Sequence, residues 1–325
     1  MGTEIHTGEL LFVKSVKDGI PNRDPLRDSD ARRIFGEEDG RISLSDVSIK
    51  RDVRDYILAR YPDGGPAKNL FIFVRKEFTE SGKLRGREGL ALSILEKAYN
   101  ERTKEIEREK FFQAAFDARV FGVVFSVGGK AFNQCGPVQF GWAHSLHPVE
   151  TKYVQGTVVM PSREGDVELG GDEEGATMGT IWSSYICPFA VFAMPAVVSA
   201  PIARDTGMSG EDLDMLLEAL WRGTLSRQAR GRGIQQPLLL IHVEYNDPYF
   251  RLGYLEEGIK LLPERDAWLG PTPPTALADI TIDVANLGSR LKTAAPKIHR
   301  VRIWQHPQLS VTGEIAGERM SWASA

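Results

Sequence analysis

The chain has 325 residues, 42% of them hydrophobic and 26% charged, and a formal net charge of -4 at pH 7. That length and apolar content fill one large core or two modest ones. The slightly acidic balance excludes a protein that coats nucleic acid by bulk charge, so any such binding has to come from a local basic surface. Its two cysteines, Cys135 and Cys187, are far apart and lack metal-ligand spacing, which supports neither a disulfide scaffold nor a zinc ribbon. MGTEIHTGEL at the start has no basic n-region and no apolar h-region, so a reducing cytoplasm is the expected location. The one long apolar run, Ile186 to Ala203, contains Pro188, Pro195 and Pro201, which break a spanning helix; it reads as buried strand and turn, with no membrane partner.

In chain order, Leu10 to Val16 reads as a first core strand. It runs into Asp18-Gly19-Ile20-Pro21-Asn22-Arg23-Asp24-Pro25, a segment dense in turn formers. Asn22, Arg23 and Asp24 have the chemistry to hold a phosphate or ribose, or to satisfy turn backbone. Ser43 with Asp46 signals a helix start, and Val47, Ile49, Val53, Tyr56 and Ile57 carry helical apolar spacing to Tyr61-Pro62. Lys50, Arg51 and Arg54 cluster on that helix, either as a track for phosphates or as a mixed-charge solvated face with Asp52 and Asp55. Leu70 to Val74 reads as a short strand, and Leu90 to about Asp117 as a long helical pattern whose alternating-charge middle, Glu101 to Lys110, predicts an exposed helix or lid.

Ala118 to Glu150 reads as strand, loop, strand. Val138, Phe140 and Trp142 alternate with Gln139, Gly141 and Ala143, which predicts one large apolar face and one small polar face. Gln139 offers a paired donor and acceptor, and Lys130 and His144 offer fixed and switchable charge. Tyr153 to Met160 and Met178 to Tyr185 have strand character around an acidic, mobile excursion, Ser162 to Glu174. Together they predict a projecting hairpin with its tip near Gly165 to Gly175. Phe189 to Val198 returns to buried strand with a break expected at Pro195. Gly207 to Gly223 is an amphipathic helix capped by Ser209 with Asp212, ending at Arg222 and Gly223. Arg222, Arg227, Arg230 and Arg232 follow without an acid among them, and Leu238 to Tyr245 is a buried strand. Beyond Asn246 the signal weakens: Pro271 to Pro274 is turn or linker, Ile280 to Leu291 a mixed element, Ile298 to Trp304 a last strand, and a loose tail starts at Ser310. Strands interleaved with two main helices predict an α+β fold with helices on one face of the sheet.

Familiar active-site chemistry is missing. Gly128-Gly129-Lys130 lacks the earlier glycine of a phosphate loop and the Ser or Thr that holds magnesium. There is no nucleophile elbow, zinc-protease helix or dinucleotide fingerprint. His144 and His147 near Cys135 invite a metal reading, but residues three apart on a strand point to opposite faces, so no metal site and no cofactor is expected.

Several ordered segments carry a resemblance that none carries alone. They are Leu11-Phe12-Val13 with Pro21-Asn22-Arg23-Asp24-Pro25, Asp46 to Tyr56, Phe121-Gly122-Val123, Gly136-Pro137-Val138-Gln139-Phe140 with Ser145-Leu146-His147, and Leu216 to Thr224. Over roughly Leu10 to Tyr245 the chain resembles the CRISPR-associated backbone subunit of type I Cascade effector complexes, nearest its I-B and I-C branch, within the RAMP superfamily. The resemblance implies an RNA-recognition-like (ferredoxin-like) antiparallel sheet as palm, with inserted fingers and a thumb hairpin, in one RAMP-type domain over residues 1–325. The palm would be built mainly from 8–60, 118–150 and 186–245, the thumb from about 155–182, and 246–325 would be a C-terminal extension.

It also implies a non-catalytic scaffold. Copies would polymerise along one CRISPR guide RNA, flip out a base at intervals with the thumb, and leave the other bases free to pair with target DNA, beside a subunit that binds the 5' handle and a large subunit. Carried onto this sequence, the RNA contacts would be Asn22, Arg23, Lys50, Arg51, Arg54, Lys130, Gln139, Trp142, His144, Arg227, Arg230 and Arg232. Arg23 stands where the family commonly has glycine, and His144 where it commonly has arginine, which puts a fixed charge at His144 in question. The alternative within the superfamily is an endoribonuclease cutting through a loop aspartate, with Asp24 the first candidate.

Overall fold

A computed structural model describes residues 4–27, 30–127, 130–157 and 181–322. The strands in chain order are β1 (Gly8–Lys17), β2 (Ser43–Leu44), β3 (Gly122–Val127), β4 (Lys130–Cys135), β5 (Val138–Phe140), β6 (Ala143–Ser145), β7 (Lys152–Thr157), β8 (Ile181–Ile186), β9 (Phe189–Val198), β10 (Ile234–Tyr245), β11 (Lys260–Leu262), β12 (Thr281–Asp283), β13 (Ile298–Gln305), β14 (Ser310–Thr312) and β15 (Glu318–Arg319). The helices are α1 (Asp46–Arg60), α2 (Arg87–Tyr99), α3 (Arg108–Ala114), α4 (Phe116–Phe121), α5 (Ala200–Thr206), α6 (Gly210–Ser226), α7 (Arg265–Trp268) and α8 (Ala285–Ala294).

The main sheet has the order β15-β13-β10-β1-β9-β6-β2, with β5 also on β9. All of its pairings are antiparallel except β13 with β15. β1 is central, so its side chains are buried on both faces. Leu10, Phe12 and Val16 pack under α1 and α6, while Leu11 and Val13 face a layer built from residues after Tyr245. The expectation of helices on one face holds for α1 and α6. The sequence after Asn246, where the signal weakens, supplies the opposite cover: Leu255, Ile259, Trp268, Ile282, Leu287 and Leu291 are buried there. A third core, rich in Phe71, Phe73, Phe111, Phe112 and Phe125, joins α2 and α3 to the β3–β4 ribbon.

Four local expectations change, each for a physical reason. Ser310 to Trp322 is tied into the fold rather than loose: β14 pairs with β12, β15 pairs with β13, and Trp322 stacks on Trp304 with ring centroids 5.1 Å apart. The long helical pattern to Asp117 is cut at Asn100, whose left-handed backbone ends α2, and helix resumes at Arg108, so the charged middle is loop from Glu101 to Glu107 and helix only from Arg108 to Lys110. Leu70 to Val74 makes one bridge, Phe71 with Ala115, and no strand. Gly223 does not end α6, which continues to Ser226; a Cβ there would lie 2.5 Å from the Asp52 carbonyl oxygen, so this glycine lets α6 approach α1.

The alternation across Val138 to Ala143 breaks as well. Phe140 faces Ala196 on β9 but His144 faces Ala193, so one extra residue sits on the 138–145 side. That bulge reverses the facing of the residues after it: Trp142 is 38% exposed and Ala143 is buried. It also explains why Pro195 fails to end β9, since proline lacks a ladder donor and is tolerated at bulges. The Gly141 amide donates to the Pro195 carbonyl at 2.8 Å.

β7 and β8 form a separate two-stranded ribbon, with Lys152 opposite Ile186 and Thr157 opposite Ile181. This is the stem of the expected hairpin; its acidic excursion, Ser162 to Glu174, and its tip lie outside the described residues. Among the described residues no helix is long and apolar enough to cross a membrane.

Candidate nucleic-acid interface

At one end of the main sheet, β1 finishes beside the starts of β9 and β10. The turn after Lys17 is tied there by backbone bonds: the Asp18 amide to Pro188 O at 3.2 Å, Gly19 to Cys187 O at 3.1 Å and Ile20 to Gly231 O at 2.9 Å. Gly19 and Gly233 pass so closely that a Cβ on Gly19 would be 2.0 Å from the Gly233 nitrogen. The Asn22 turn, the Arg227 to Gly233 loop and the base of the hairpin stem therefore converge.

The keystone is Asp52. It follows Ile49 by three residues and precedes Tyr56 by four, so it falls on the inward stripe of α1 and is buried. Its carboxylate pairs with Lys14 Nζ at 3.1 Å, Arg227 at 2.7 Å and Arg232 at 3.1 Å. Lys14 also donates to Gln235 Oε1 at 2.9 Å. Burial lowers the Lys14 pKa and the neighbouring Arg232 and Arg227 add to this, while Asp52 opposes them. Sequence reasoning missed Lys14 and Asp52, although a carboxylate on an apolar helix stripe was a readable sign that cations must meet it.

The twelve expected contacts separate in this geometry. Asn22 Oδ1 accepts from the Ser45 amide at 2.9 Å and its hydroxyl at 3.0 Å, so Asn22 holds the start of α1, and the start signal at Ser43 moves to Ser45. Arg23 reaches the hairpin stem at Ser184 Oγ and the Gly231 carbonyl at 3.3 Å. Arg230 is exposed and lies 4.6 Å over the Trp182 ring of the same stem, a cation–π contact. A Cβ on Gly156 would be 2.5 Å from that indole, so the glycine lets Trp182 lie flat across the ribbon. Arg227 also pairs with Asp55 at 3.3 Å, and Arg232 donates to Pro21 O at 2.5 Å. Both arginines brace the loop rather than project from it.

Along α1, Lys50 pairs with Asp46 at 2.9 Å, and Arg51 pairs with Asp55 at 2.6 Å while its side chain stays 38% exposed. Arg54 departs from its expected phosphate role: it is buried and bonds Asp117 at 2.7 Å, and that carboxylate also accepts the amides of Phe73 at 2.6 Å and Val74 at 3.0 Å. A guanidinium committed this way joins α1 to the Phe-rich core and is not presented to a ligand. His144 bonds Ser43 Oγ at 2.9 Å through Nδ1 and packs against Phe35, with Arg41 4.0 Å over that ring's centroid. Burial, helped by Arg41, lowers its pKa and favours neutral imidazole. Gln139 donates to Gly136 O at 2.9 Å, bracing the turn before β5, and Trp142 stands partly exposed on the bulge. Lys130 opens β4, but its side chain lies outside the described residues. Asp24 Oδ1 accepts the Leu26 amide at 3.1 Å, an Asx turn. Cys135, His144 and His147 do not converge, and no group of three potential metal ligands occurs among the described residues.

The arrangement supplies half-exposed Arg51 and exposed Arg230, an aromatic stem face at Trp182, and a loop clamped from below by one carboxylate on three cations. Aromatic rings beside fixed cations are what a flexible single strand engages.

The model of the family described as "CRISPR-associated protein Cas7" matches residues 6–285. A curated relative, "CRISPR-associated protein Cas7" of Haloferax volcanii, is 28% identical over 326 residues, covering 93% of this chain and 87% of its own length. Among solved structures, a chain of a "CRISPR RNA-guided surveillance complex, pre-nicking" superposes with a TM-score of 0.57 at 15% identity, covering 97% of this chain and 96% of that one. The resemblance carried by the ordered motifs is thus met over most of the length, and the chain belongs to the CRISPR-associated Cas7 family.

Proposed function

We propose that this protein is a backbone subunit of a type I Cascade surveillance complex, binding the CRISPR guide RNA and polymerising along it. The observation that carries the reading, beyond family membership, is the convergence of Arg230, Trp182 and Arg23 where the Asn22 turn, the basic loop and the hairpin stem meet. On a chain of net charge -4 this is a local basic and aromatic surface of the kind that single-stranded RNA requires.

In this reading the main sheet is the RNA-recognition-like palm, the Phe-rich unit the fingers, and β7 with β8 the thumb that displaces one base at intervals. Arg51 and Arg230 contact phosphate or base directly. Lys50, Gln139, Trp142, Lys130 and His144 line the same path, and Asn22, Arg23, Arg227 and Arg232 hold its walls. Guide bases between thumbs pair with target DNA, and copies of the chain stand beside a 5'-handle-binding subunit and a large subunit in the cytoplasm. The role is structural, without catalysis.

The test is mass by light scattering after size exclusion, with the protein mixed with guide RNAs of increasing length. Stepwise mass growth with intact RNA is expected. Monomers without RNA overturn the proposal, and divalent-dependent shortening of the RNA that Asp24→Ala abolishes replaces it with the endoribonuclease alternative.

A further inference from the structure

Between the Asn22 turn and α1 the chain makes a closed loop. Arg32 and Ser43 form an antiparallel bridge at its neck, and Ser43 pairs in turn with His144 on β6. Arg33 ties the loop down, donating to Gly40 O at 2.8 Å and Val149 O at 3.0 Å, and Arg265 donates to Asp39 O at 2.9 Å. Gly36 and Gly40, at φ +89° and +75°, make the reversals this path requires. Held this firmly, the loop still leaves Phe35 46% exposed, with Ile34 exposed beside it.

The Arg41 guanidinium lies over the Phe35 ring, 4.0 Å from its centroid. Asp39 grips it by two bonds, Oδ1 accepting from Nε at 2.7 Å and Oδ2 from Nη2 at 3.2 Å, and this paired geometry fixes its orientation. His144 packs on the same ring with centroids 4.6 Å apart. Arg41 keeps 35% of its side chain open to solvent.

Residues 32–41 hold three arginines and three acids, Glu37, Glu38 and Asp39, so the loop as a whole draws no phosphate by charge. What it presents is a planar guanidinium backed by an aromatic ring, a surface on which an unstacked RNA base lies. Its place in the fold agrees. Ser43 at the neck is two residues from Ser45, at most about 7 Å of chain; Ser45 is held by Asn22, whose neighbour Arg23 reaches the hairpin stem.

We infer that Arg41, backed by Phe35 and held by Asp39, is a stacking site for an unpaired base of the bound RNA. The inference rests on the guide-RNA reading above and adds to it a contact that is independent of phosphate.

The experiment is filter binding of full-length protein to single-stranded RNA over a range of salt, repeated with a strand of the same length whose riboses carry no base. Arg41→Lys keeps the charge and removes the plane, and Phe35→Leu keeps the apolar bulk and removes the ring. Each is expected to lower RNA affinity about tenfold, the worth of one stacked base, with the slope of log affinity against log salt unchanged. Both should bind the base-free strand as the unaltered protein does. Undiminished RNA affinity of the two variants overturns the inference and leaves the guide-RNA reading standing. A flattened slope, or an equal loss on the base-free strand, identifies a phosphate contact or a structural role and overturns it as well. Absence of RNA binding by the unaltered protein overturns the guide-RNA reading itself, and this inference with it.

Discussion

Asp52 on α1 and Lys14 on β1 meet 3.1 Å apart in a region almost closed to solvent, and two arginines of a loop far along the chain meet the same carboxylate. One helix residue thereby fixes the position of the loop that carries Arg230.

Asp52→Asn leaves Lys14 buried without its counter-charge and unpins Arg227 and Arg232. Removing one partner of a buried ion pair costs about 3–5 kcal/mol. Chemical denaturation should show a loss in that range, and Lys14→Met in the same chain should recover part of it by removing the stranded ammonium. RNA affinity of the folded fraction should fall too, because the loop is no longer held.

Arg51 and Arg54 lie three residues apart on α1 and should behave oppositely. Arg54→Met breaks the Asp117 link and lowers stability by about 3 kcal/mol without changing the salt dependence of RNA binding. Arg51→Ala should leave stability within about 0.5 kcal/mol and flatten the slope of log affinity against log salt by about 0.7, one phosphate contact on a single strand. A common response of both variants would count against the assignment.

Acid should unfold this protein early. Burial brings His242 from 6.5 down to about 3 and His147 from 6.5 to about 4. The unfolded chain binds these protons first, so stability is full above pH 6.5 and is lost as pH falls from there through the folded values. Each group contributes up to about 1.4 kcal/mol per pH unit in that window. Urea denaturation at pH 7 and pH 5 measures the difference, and His147→Phe should shrink it.

Trp322→Ala removes the ring stacked on Trp304 at the sheet edge. A loss of about 1–2 kcal/mol is expected, aromatic contact plus partial burial, read as a lowered denaturation midpoint. A tail without structural weight would show no change.

His144→Arg places permanent charge where the imidazole is held toward neutrality. RNA affinity at pH 7.5 should rise, and the pH dependence that the unaltered protein owes to this ring should vanish; filter binding at two pH values reports both.

Local sequence alone determined the strands at Leu10–Val16 and Leu238–Tyr245, the α6 helix with its Ser209–Asp212 cap, and the stem strands of the hairpin, because periodicity and capping depend on near neighbours. Ordered motifs determined the family for the same reason: they are short, local and sequential. Tertiary structure alone decided which cations are available. Lys50, Arg51 and Arg54 look alike in a helical pattern, and only Asp117, sixty-three positions beyond Arg54, marks the buried one off from half-exposed Arg51. The bulge opposite Pro195, the second core under β1 and the tying-in of Ser310 to Trp322 likewise come from partners distant in sequence. Charge pairing and strand register are properties of such encounters, which no local pattern encodes.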